Sequence, residues 1–262
     1  MTSTTALIAT ALMLFTGAAR AVDVRTRPYP CVEHVHRVEP GLDAHVVVAD
    51  LACGAVDVVA TRPRDRRAPV STFAREYGAQ IAINANFFEA SVCGLAMGEG
   101  IVWRDAYSDR CGASAGFALG PSGTRLAYFD SRDSVHAAPY PWLRQAVTGW
   151  PMLLRRGAIV FDPEEPLGMY RTHPRTMLGS TPGGHSLVIA VIDGRRASLP
   201  GVTSLEMIPL MEEFGASDAM NLDGGGSSEL WIEAEGGVVN MPSDHRERSV
   251  LNHLGLRIIP AR

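Results

Sequence analysis

The sequence predicts an α+β fold with a hairpin-rich mixed sheet core and two or three helices. Short β-branched and apolar runs recur along the chain, and such runs are typical of strands. Many of them are joined in pairs by turns that contain Gly or Pro, which favours hairpins. Two segments carry clear helix start or stop signals. Short strands joined locally, with few helices, therefore define the expected architecture.

The first half of the chain predicts four elements before a long loop. In order, they are an extended entry segment (22–40), a hairpin (44–51 with 55–61, around Cys53-Gly54), a short helix (70–77, ended by Gly78) and a buried strand (80–84). Residues 89–115 are rich in Gly, Ala, Ser and Asp and show little periodicity. Loops of this length in compact domains are usually functional or flexible.

The second half predicts three hairpins, one helix and three further strands. The hairpins are expected at 116–119 with 125–129, at 152–160, and at 176–180 with 186–192. The helix at 204–214 begins with Thr203 at the N-cap and Glu206 three residues on, which makes a capping box, and Gly215 ends it. The remaining strands are expected at 217–222, 229–233 and 254–259.

The N-terminus predicts an export signal. Residues 6–15 are a short apolar run, and Ala19-Arg-Ala21 fits a small-x-small cleavage site. The run is too short for a permanent membrane anchor, and a buried N-terminal helix is the alternative. The expected division is a signal peptide (1–21), an N-terminal strand and helix region (22–79) and a catalytic region (80–262) that forms one compact unit with it. The location is accordingly expected to be secreted or periplasmic.

The four cysteines predict two disulfides, because an even count is typical of exported chains. Four cysteines allow three pairings. We favour Cys31–Cys53 and Cys93–Cys111, since each of these bonds closes a local loop. The cysteine spacings do not suit a zinc site, and we expect neither a metal nor a cofactor.

The charge balance excludes a nucleic-acid-binding role. The formal net charge is −4, and the basic residues are not clustered as a nucleic-acid footprint requires. Every basic residue is Arg, since the sequence contains no Lys. Any anion site must therefore use guanidinium groups or backbone N–H groups.

The strongest candidate motif is Asp223-Gly-Gly-Gly-Ser-Ser228, which follows a predicted strand. Consecutive glycines indicate a backbone that adopts positive φ or approaches a ligand closely. Their N–H groups can form an anion-binding nest. The hydroxyls of Ser227 and Ser228 are further donors, and Asp223 is placed as a carboxylate in a cleft. A tight hairpin turn with a solvated Asp is the alternative.

A second candidate, Asn84-Ala-Asn-Phe-Phe88, ends another predicted strand. Alternation along the strand places the Asn84 and Asn86 amides on one face, where they can bind sugar hydroxyls. The alternative is a turn followed by core phenylalanines. Arg175 suits bidentate phosphate binding, although an isolated Arg is usually a solvated surface residue.

Late in the chain, His245 is a candidate proton donor or acceptor near neutral pH, with Asp244 and Arg248 beside it in sequence. An exposed loop histidine is the alternative. The turn at Asp193-Gly194 and the capping Glu206 both have ordinary structural explanations. The sequence holds no His-x-x-x-His pair, so metalloprotease chemistry has no compact signal.

Taken in order, these fragments resemble the phosphodiester glycosidase family, whose members cleave the bond between a sugar's anomeric carbon and a phosphodiester. The similarity covers roughly residues 80–259. The fragments that carry it are Ile83-Asn-Ala-Asn-Phe-Phe88, Gly149-Trp-Pro151, Arg175-Thr-Met-Leu-Gly179, Asp193-Gly194, Gly201-Val-Thr-Ser-Leu-Glu206, Asn221-Leu-Asp-Gly-Gly-Gly-Ser227, Pro242-Ser-Asp-His245 and Arg248-Ser-Val250.

The resemblance implies a set of site residues. Candidate catalytic residues are Asp193, Glu206, Asp223 and His245. Candidate substrate or phosphate contacts are Asn84, Asn86, Arg175, Thr203, Gly224, Gly225, Gly226, Ser227, Ser228 and Arg248.

The implied partner is a glycan phosphodiester, either a small molecule or a polymer, and the implied reaction releases free sugar and a phosphomonoester. Because phosphate is a good leaving group, the site needs charge stabilisation and a carboxylate near the anomeric carbon more than a strong acid. The alternatives are an exported carbohydrate-binding protein without turnover and an enzyme that processes exopolysaccharide phosphodiesters.

Overall fold

The computed structural model describes residues 21–107, 115–119, 126–130, 141–160 and 170–259. Within these ranges the chain forms three sheets and two α-helices. The helices are α1 (Val70–Tyr77) and α2 (Ser204–Glu213). The strands are β1 (Val22–Tyr29), β2 (Val32–Glu39), β3 (Leu42–Asp50), β4 (Val56–Ala60), β5 (Ile81–Asn84), β6 (Met97–Gly98), β7 (Ile101–Val102), β8 (Ala115–Leu119), β9 (Leu126–Asp130), β10 (Gln145–Gly149), β11 (Met152–Arg155), β12 (Ala158–Ile159), β13 (Arg175–Ser180), β14 (Ser186–Ile192), β15 (Asp218–Asn221), β16 (Leu230–Ile232), β17 (Gly237–Val238) and β18 (His253–Ile258).

The largest sheet has eight strands in the order β1-β2-β3-β14-β13-β15-β11-β12. A five-stranded sheet has the order β17-β16-β5-β18-β4, and a second five-stranded sheet has the order β7-β6-β10-β8-β9. Among the described strands, every ladder is antiparallel. The expected hairpin-rich sheet core is confirmed in this broad form, although β structure outweighs the two helices.

Alternation along the strands places the core between the sheets. One face of the large sheet contributes Val47, Leu178 and Ile189, which pack with Ile83 and Leu254 of the sheet that contains β5 and β18. The opposite face of the large sheet is covered by α2. Helix α1 packs on the outer side of the five-stranded sheet that contains β5 and β18. The result is a helix–sheet–sheet–helix layering that leaves the strand ends free to carry a site.

Helix α1 has the predicted bounds, and α2 begins at the predicted residue and ends at Glu213, one residue earlier than predicted. Helix α1 is followed by Gly78 in the left-handed conformation, with φ of 61°, which glycine adopts at little cost. At α2, the Glu206 N–H donates to Thr203 Oγ1 and the Thr203 N–H donates to Glu206 Oε2. The capping box is therefore confirmed. The predicted hairpins β8–β9, β11–β12 and β13–β14 are also present.

Two predictions for the N-terminal region are wrong. Residues 22–40 are not a simple extended segment, because β1 and β2 pair with each other. The runs at 44–51 and 55–61 do form strands, but they do not pair. Strand β3 pairs with β2 and β14, whereas β4 pairs with β18 in the facing sheet. The turn around Cys53-Gly54 therefore carries the chain from one sheet to the other, where both apolar strands find buried partners.

The disulfide Cys31–Cys53 is confirmed and links the β1–β2 turn to that crossing. Cys93 is also disulfide-bonded, while Cys111, its expected partner, lies outside the described residues. The predicted signal peptide likewise lies outside them, except for Ala21. No helix in the described ranges is long and apolar enough to cross a membrane. The division at residue 79 stays a prediction, and β1–β3 share a sheet with β13–β15.

Candidate functional site

The glycine run forms a tight turn between the ends of two other strands. Strand β15 leads into Asp223, and residues Gly225–Ser227 make one turn of 3₁₀-helix before β16. The Asp223 N–H donates to Ala85 O just beyond β5 (3.0 Å), and the Gly225 N–H donates to Pro174 O just before β13 (2.8 Å). Gly225 has a φ of 63°, a conformation that side-chain-bearing residues rarely adopt.

Each of the three glycines faces a different arginine. A Cβ atom built on Gly224 would lie 3.8 Å from Cδ of Arg175, and one built on Gly225 would lie 2.6 Å from Nη2 of Arg195. A Cβ atom on Gly226 would overlap Nη2 of Arg248. Gly225 and Gly226 therefore allow the guanidinium groups of Arg195 and Arg248 to approach the turn. Gly224 leaves room for the Pro174 carbonyl, 2.8 Å from its Cβ position, beside the Arg175 side chain.

The positive charge at this turn is incompletely neutralised. Arg248 forms an ion pair with Asp244 (2.6 Å) and donates to Ser227 Oγ (3.3 Å). Arg175 is buried, and among the described residues it donates to two backbone carbonyls, those of Val202 (3.2 Å) and Arg171 (2.9 Å). Neither Arg175 nor Arg195 forms an ion pair within the described part of the chain. Burial, and then repulsion by Arg195, lowers the pKa of Arg175 to about 10. An anion is the ligand that such a cluster favours.

Asp223 is the carboxylate of this cluster that forms no ion pair within the described residues, whereas Asp244 pairs with Arg248. Burial raises its pKa to about 6, against hydrogen bonds from Ser227 and the Gly224 N–H and the charges of Arg248 and Arg195, all of which lower it. The Gly224 N–H donates to Oδ1 at 3.0 Å. The residue remains partly exposed. A carboxylate with a pKa close to working pH is suited to acid–base chemistry.

Asn84 holds the glycine turn in place through a hydrogen bond to its backbone. It is fully buried, and its Nδ2 donates to the backbone O of Asp223 (2.6 Å). Its Oδ1 accepts from Thr176 Oγ1 (2.8 Å) and from the Glu229 N–H (3.3 Å). The amide therefore joins β5, β13 and the glycine turn. Its capacity for hydrogen bonds is engaged within the protein, so its expected contact with substrate stays a prediction.

Asn86 organises the loop that follows β5. Its Nδ2 donates to Cys93 O (2.9 Å), and its Oδ1 accepts from the Thr148 N–H (3.1 Å) and from Asn252 Nδ2 (2.9 Å). The residue is almost completely buried. The side-chain amides of the two asparagines bond to different parts of the protein, and their expected contacts with sugar hydroxyls stay predictions.

Asp193 anchors the late loop instead of lying open in the cleft. It is 2% exposed, and its oxygens accept from the Met241 N–H (2.9 Å) and from Asn240 Nδ2 (3.0 Å). Burial raises its pKa against these hydrogen bonds. Asp193 thereby fixes the chain that continues toward Asp244 and Arg248.

Glu206 and Thr203 lie at the N-terminus of α2, where their side chains and backbone N–H groups form hydrogen bonds with each other. Glu206 is exposed, and Thr203 Oγ1 donates to its Oε2 at 2.8 Å. Of the other expected residues, His245 is exposed with a φ of 56°, and Ser227 and Ser228 are buried beside the turn. The catalytic or binding roles of these residues stay predictions.

Comparison with known proteins identifies the family. A family model described as phosphodiester glycosidase matches residues 77–257. The chain belongs to the phosphodiester glycosidase family. The matched range contains the three glycines, Asp223 and all three arginines of the site. The resemblance inferred from the sequence fragments is thus confirmed.

Several relatives share this domain at low identity. N-acetylglucosamine-1-phosphodiester alpha-N-acetylglucosaminidase of Bos taurus is 27% identical over 193 residues, which cover 69% of this chain and 36% of the bovine protein. The SPbeta prophage-derived uncharacterized protein YomE of Bacillus subtilis is 40% identical over 82 residues, which cover 31% of this chain and 12% of that protein. The chain therefore spans only about a third, or less, of the length of these curated relatives.

Solved structures show the same fold. The zebrafish N-acetylglucosamine-1-phosphodiester alpha-N-acetylglucosaminidase catalytic domain, auto-inhibited by its pro-peptide, aligns with a TM-score of 0.67 at 18% identity. The alignment covers 93% of this chain and 84% of that one. A putative exported protein from Burkholderia pseudomallei aligns with a TM-score of 0.57 at 16% identity, covering 82% and 74% of the two chains.

Within this phosphodiester glycosidase domain, sequence reasoning missed Arg195 and a carboxyl pair. Arg195 has a φ of 60° directly after Asp193-Gly194, so the turn itself aims the side chain at the glycines. The pair is Glu229, which follows the glycine turn, and Glu247, which precedes Arg248 by one residue. The sequence offers one signal for these three residues, which is that each lies within two positions of a candidate site residue.

Glu229 is a buried carboxyl group whose pKa is raised by burial and by the neighbouring Glu247. Glu229 is 1% exposed, and burial together with the Glu247 carboxylate raises its pKa to about 9. Glu247 accepts from the Ser71 N–H in the first turn of α1 (3.1 Å). Its pKa is lowered by the hydrogen bonds from Ser71 and Glu229, which outweigh the effect of burial. The raised pKa of Glu229 therefore reflects its burial directly after the glycine turn and the negative charge of Glu247 on the loop that carries Arg248.

We expect Glu229→Gln to flatten the dependence of stability on pH. Because the folded-state pKa of Glu229 is raised from 4.5 to about 9, its stabilising contribution is complete below its unfolded pKa. It is lost progressively as pH rises toward about 9. Gln is neutral at every pH, so the variant's melting temperature should decline less between about pH 5 and pH 9. Glu212→Gln, at an exposed position on α2, is the control. Parallel curves of melting temperature against pH for the parent and Glu229→Gln would contradict the raised pKa of Glu229.

Proposed function

We propose that this protein hydrolyses the bond between a sugar's anomeric carbon and a phosphodiester, releasing free sugar and a phosphomonoester. The observation that supports this proposal is the arrangement of three arginines around a glycine turn that begins with Asp223. Family membership is consistent with it. Residues 1–21 and the disulfides further support export to a secreted or periplasmic location.

In the proposed reaction, the guanidinium groups of Arg195 and Arg248 bind the phosphate beside the glycine turn. The C1–O bond breaks, and the bonding electrons remain on the phosphate oxygen, where the guanidinium groups stabilise the added charge. Arg175 donates to the Val202 and Arg171 carbonyls, and its buried positive charge further stabilises the bound phosphate. Because the leaving group is a weak base, no strong proton donor is required.

Asp223 is the proposed carboxylate at the anomeric carbon. In its ionised form it can stabilise the positive charge that develops there, attack the carbon, or accept a proton from the incoming water. Water supplies the hydroxyl of the released sugar in each case. Asn84 acts as a positioning residue, since it bonds the Asp223 carbonyl directly.

The test is sugar release by the purified chain from a panel of sugar-1-phosphodiesters that begins with N-acetylglucosamine derivatives. Glycosides of the same sugars without phosphate are the matched control substrates. We expect free sugar and phosphomonoester in equal amounts, and a preference of at least about hundredfold for the phosphodiesters, the usual effect of oxyanion stabilisation. Binding of phosphodiesters without sugar release would instead favour an exported carbohydrate-binding protein, and equal cleavage of both substrate classes would overturn the phosphate assignment.

A further inference from the structure

A second cluster of reactive side chains lies on β2 and β3, outside the glycine turn. In the β2–β3 ladder, His36 is directly opposite His45. His34 precedes His36 by two residues, and Asp43 precedes His45 by two residues. Because side chains alternate along a strand, all four project from the same face of the large sheet. Sequence reasoning missed this group, since its members are brought together by strand pairing and not by a compact motif.

Three of these residues bring metal-ligating atoms together. Nε2 of His36 lies 2.8 Å from Oδ1 of Asp43, and Nε2 of His45 lies 4.0 Å from the same oxygen. One ligand atom from each of the three residues lies within 4.8 Å of the other two. Two imidazoles and a carboxylate are a donor set that Zn²⁺ and related divalent transition metals bind, with a further position open to water.

The neighbours of His45 orient its ring for this role. Nδ1 of His45 lies 3.1 Å from Nε2 of His34, and Nδ1 of His34 lies 2.8 Å from Oε2 of Glu235. When Nδ1 of His45 donates to Nε2 of His34, the lone pair of the His45 ring lies on Nε2, which is 4.0 Å from Oδ1 of Asp43. A chain of this kind, from carboxylate through histidine to ligand, is typical of the surroundings of metal-binding histidines.

Solvent can reach the cluster from one side. The side chain of His45 is 5% exposed, whereas those of His36 and Asp43 are 36% and 25% exposed. The His36 and His45 rings are stacked, with 4.1 Å between centroids and 8° between planes. Their lone pairs can converge on one ion only if a ring turns, and His36, being the more exposed, is free to do so.

We propose that His36, Asp43 and His45 form a binding site for a divalent transition metal ion with the coordination preferences of Zn²⁺. The ion would replace the His36–Asp43 hydrogen bond and join β2 to β3 by three coordinate bonds. Its role is structural, because the site is built from the N-terminal strands and shares no ligand with the glycine turn. Asp193 lies next to it, with its N–H donating to Asp43 O (2.9 Å).

The experiment is titration of the untagged, metal-stripped full chain with Zn²⁺ by calorimetry, and with Co²⁺ by visible absorption. We expect one saturable Zn²⁺ site, Co²⁺ absorption bands from nitrogen and oxygen ligands, and a higher melting temperature with Zn²⁺. His36→Ala and Asp43→Asn should each weaken Zn²⁺ binding by at least about tenfold, since each removes one ligand. Both positions are partly exposed, so both variants should fold.

The control is His185→Ala, which removes an exposed histidine on the turn between β13 and β14. It should bind Zn²⁺ as the parent does. Absence of saturable Zn²⁺ binding by the parent would overturn the proposal and leave the cluster as stacked imidazoles with an ion pair. Equal loss in His185→Ala and His36→Ala would overturn it as well, because binding would then come from dispersed surface histidines.

Discussion

Asp223→Asn should lower kcat/KM for a sugar-1-phosphodiester by about 10²–10⁴, the usual contribution of a group in general acid–base catalysis. Asn keeps the shape of the side chain and can still accept from the Gly224 N–H, which is bonded to Oδ1 at 3.0 Å. Folding should therefore be preserved while the carboxylate is lost. Melting temperature and steady-state kinetics, measured on the same preparations, separate the two effects.

The pH profile of the parent gives an independent measure of the same group. Because burial raises the pKa of Asp223 to about 6, the active carboxylate form is lost as pH falls through that value. Log kcat/KM should therefore decline on the acid side, and the residual activity of Asp223→Asn should lack that limb. A phosphodiester substrate does not titrate in this range, so the limb reports the enzyme.

Glu206→Gln is the matched control for the loss of a carboxylate. Glu206 is exposed and bonded within the capping box of α2, so its replacement should affect activity little. If Asp223→Asn retained parental activity while Glu206→Gln lost it, the catalytic carboxylate would have to be reassigned to the N-terminus of α2.

Arg195→Ala should lower kcat/KM by about 10- to 100-fold, since a hydrogen bond to a charged group contributes roughly 1.5–3 kcal/mol. The side chain is exposed and forms no hydrogen bond or ion pair within the described residues. Its removal should therefore leave the melting temperature nearly unchanged. Most of the loss should be specific to substrates that carry phosphate.

Arg64→Ala removes the same formal charge from a position that is 71% exposed and distant in sequence from the site. Comparison with this control separates local phosphate binding from long-range attraction, which salt screens. Arg195→Lys should recover only part of the activity, because an ammonium group lacks the planar pair of donors. Parental kinetics in Arg195→Ala would place phosphate binding on Arg248 and Arg175 alone.

Local patterns predicted much of the fold because their causes are local. Gly78 ends α1 through its left-handed conformation, and the Thr203–Glu206 capping box needs only the first turn of α2. Hairpins such as β13–β14 follow from a turn between two apolar runs. The partners of β3 and β4 could not be predicted in this way, because period-two alternation identifies a strand without specifying which sheet buries it.

The family could be identified from sequence fragments alone, the same fragments predicted a site at the glycine turn, and the cysteine positions favoured the Cys31–Cys53 pairing. The polar residues that surround that turn became known only from the folded chain. It brought Arg195 and Arg248 from separate loops to two adjacent glycines, turned the Asn84 amide toward the Asp223 carbonyl, and placed Asp193 under the late loop. The physical reason is that charge and hydrogen-bonding capacity are visible in a sequence, whereas their partners depend on long-range strand pairing and burial.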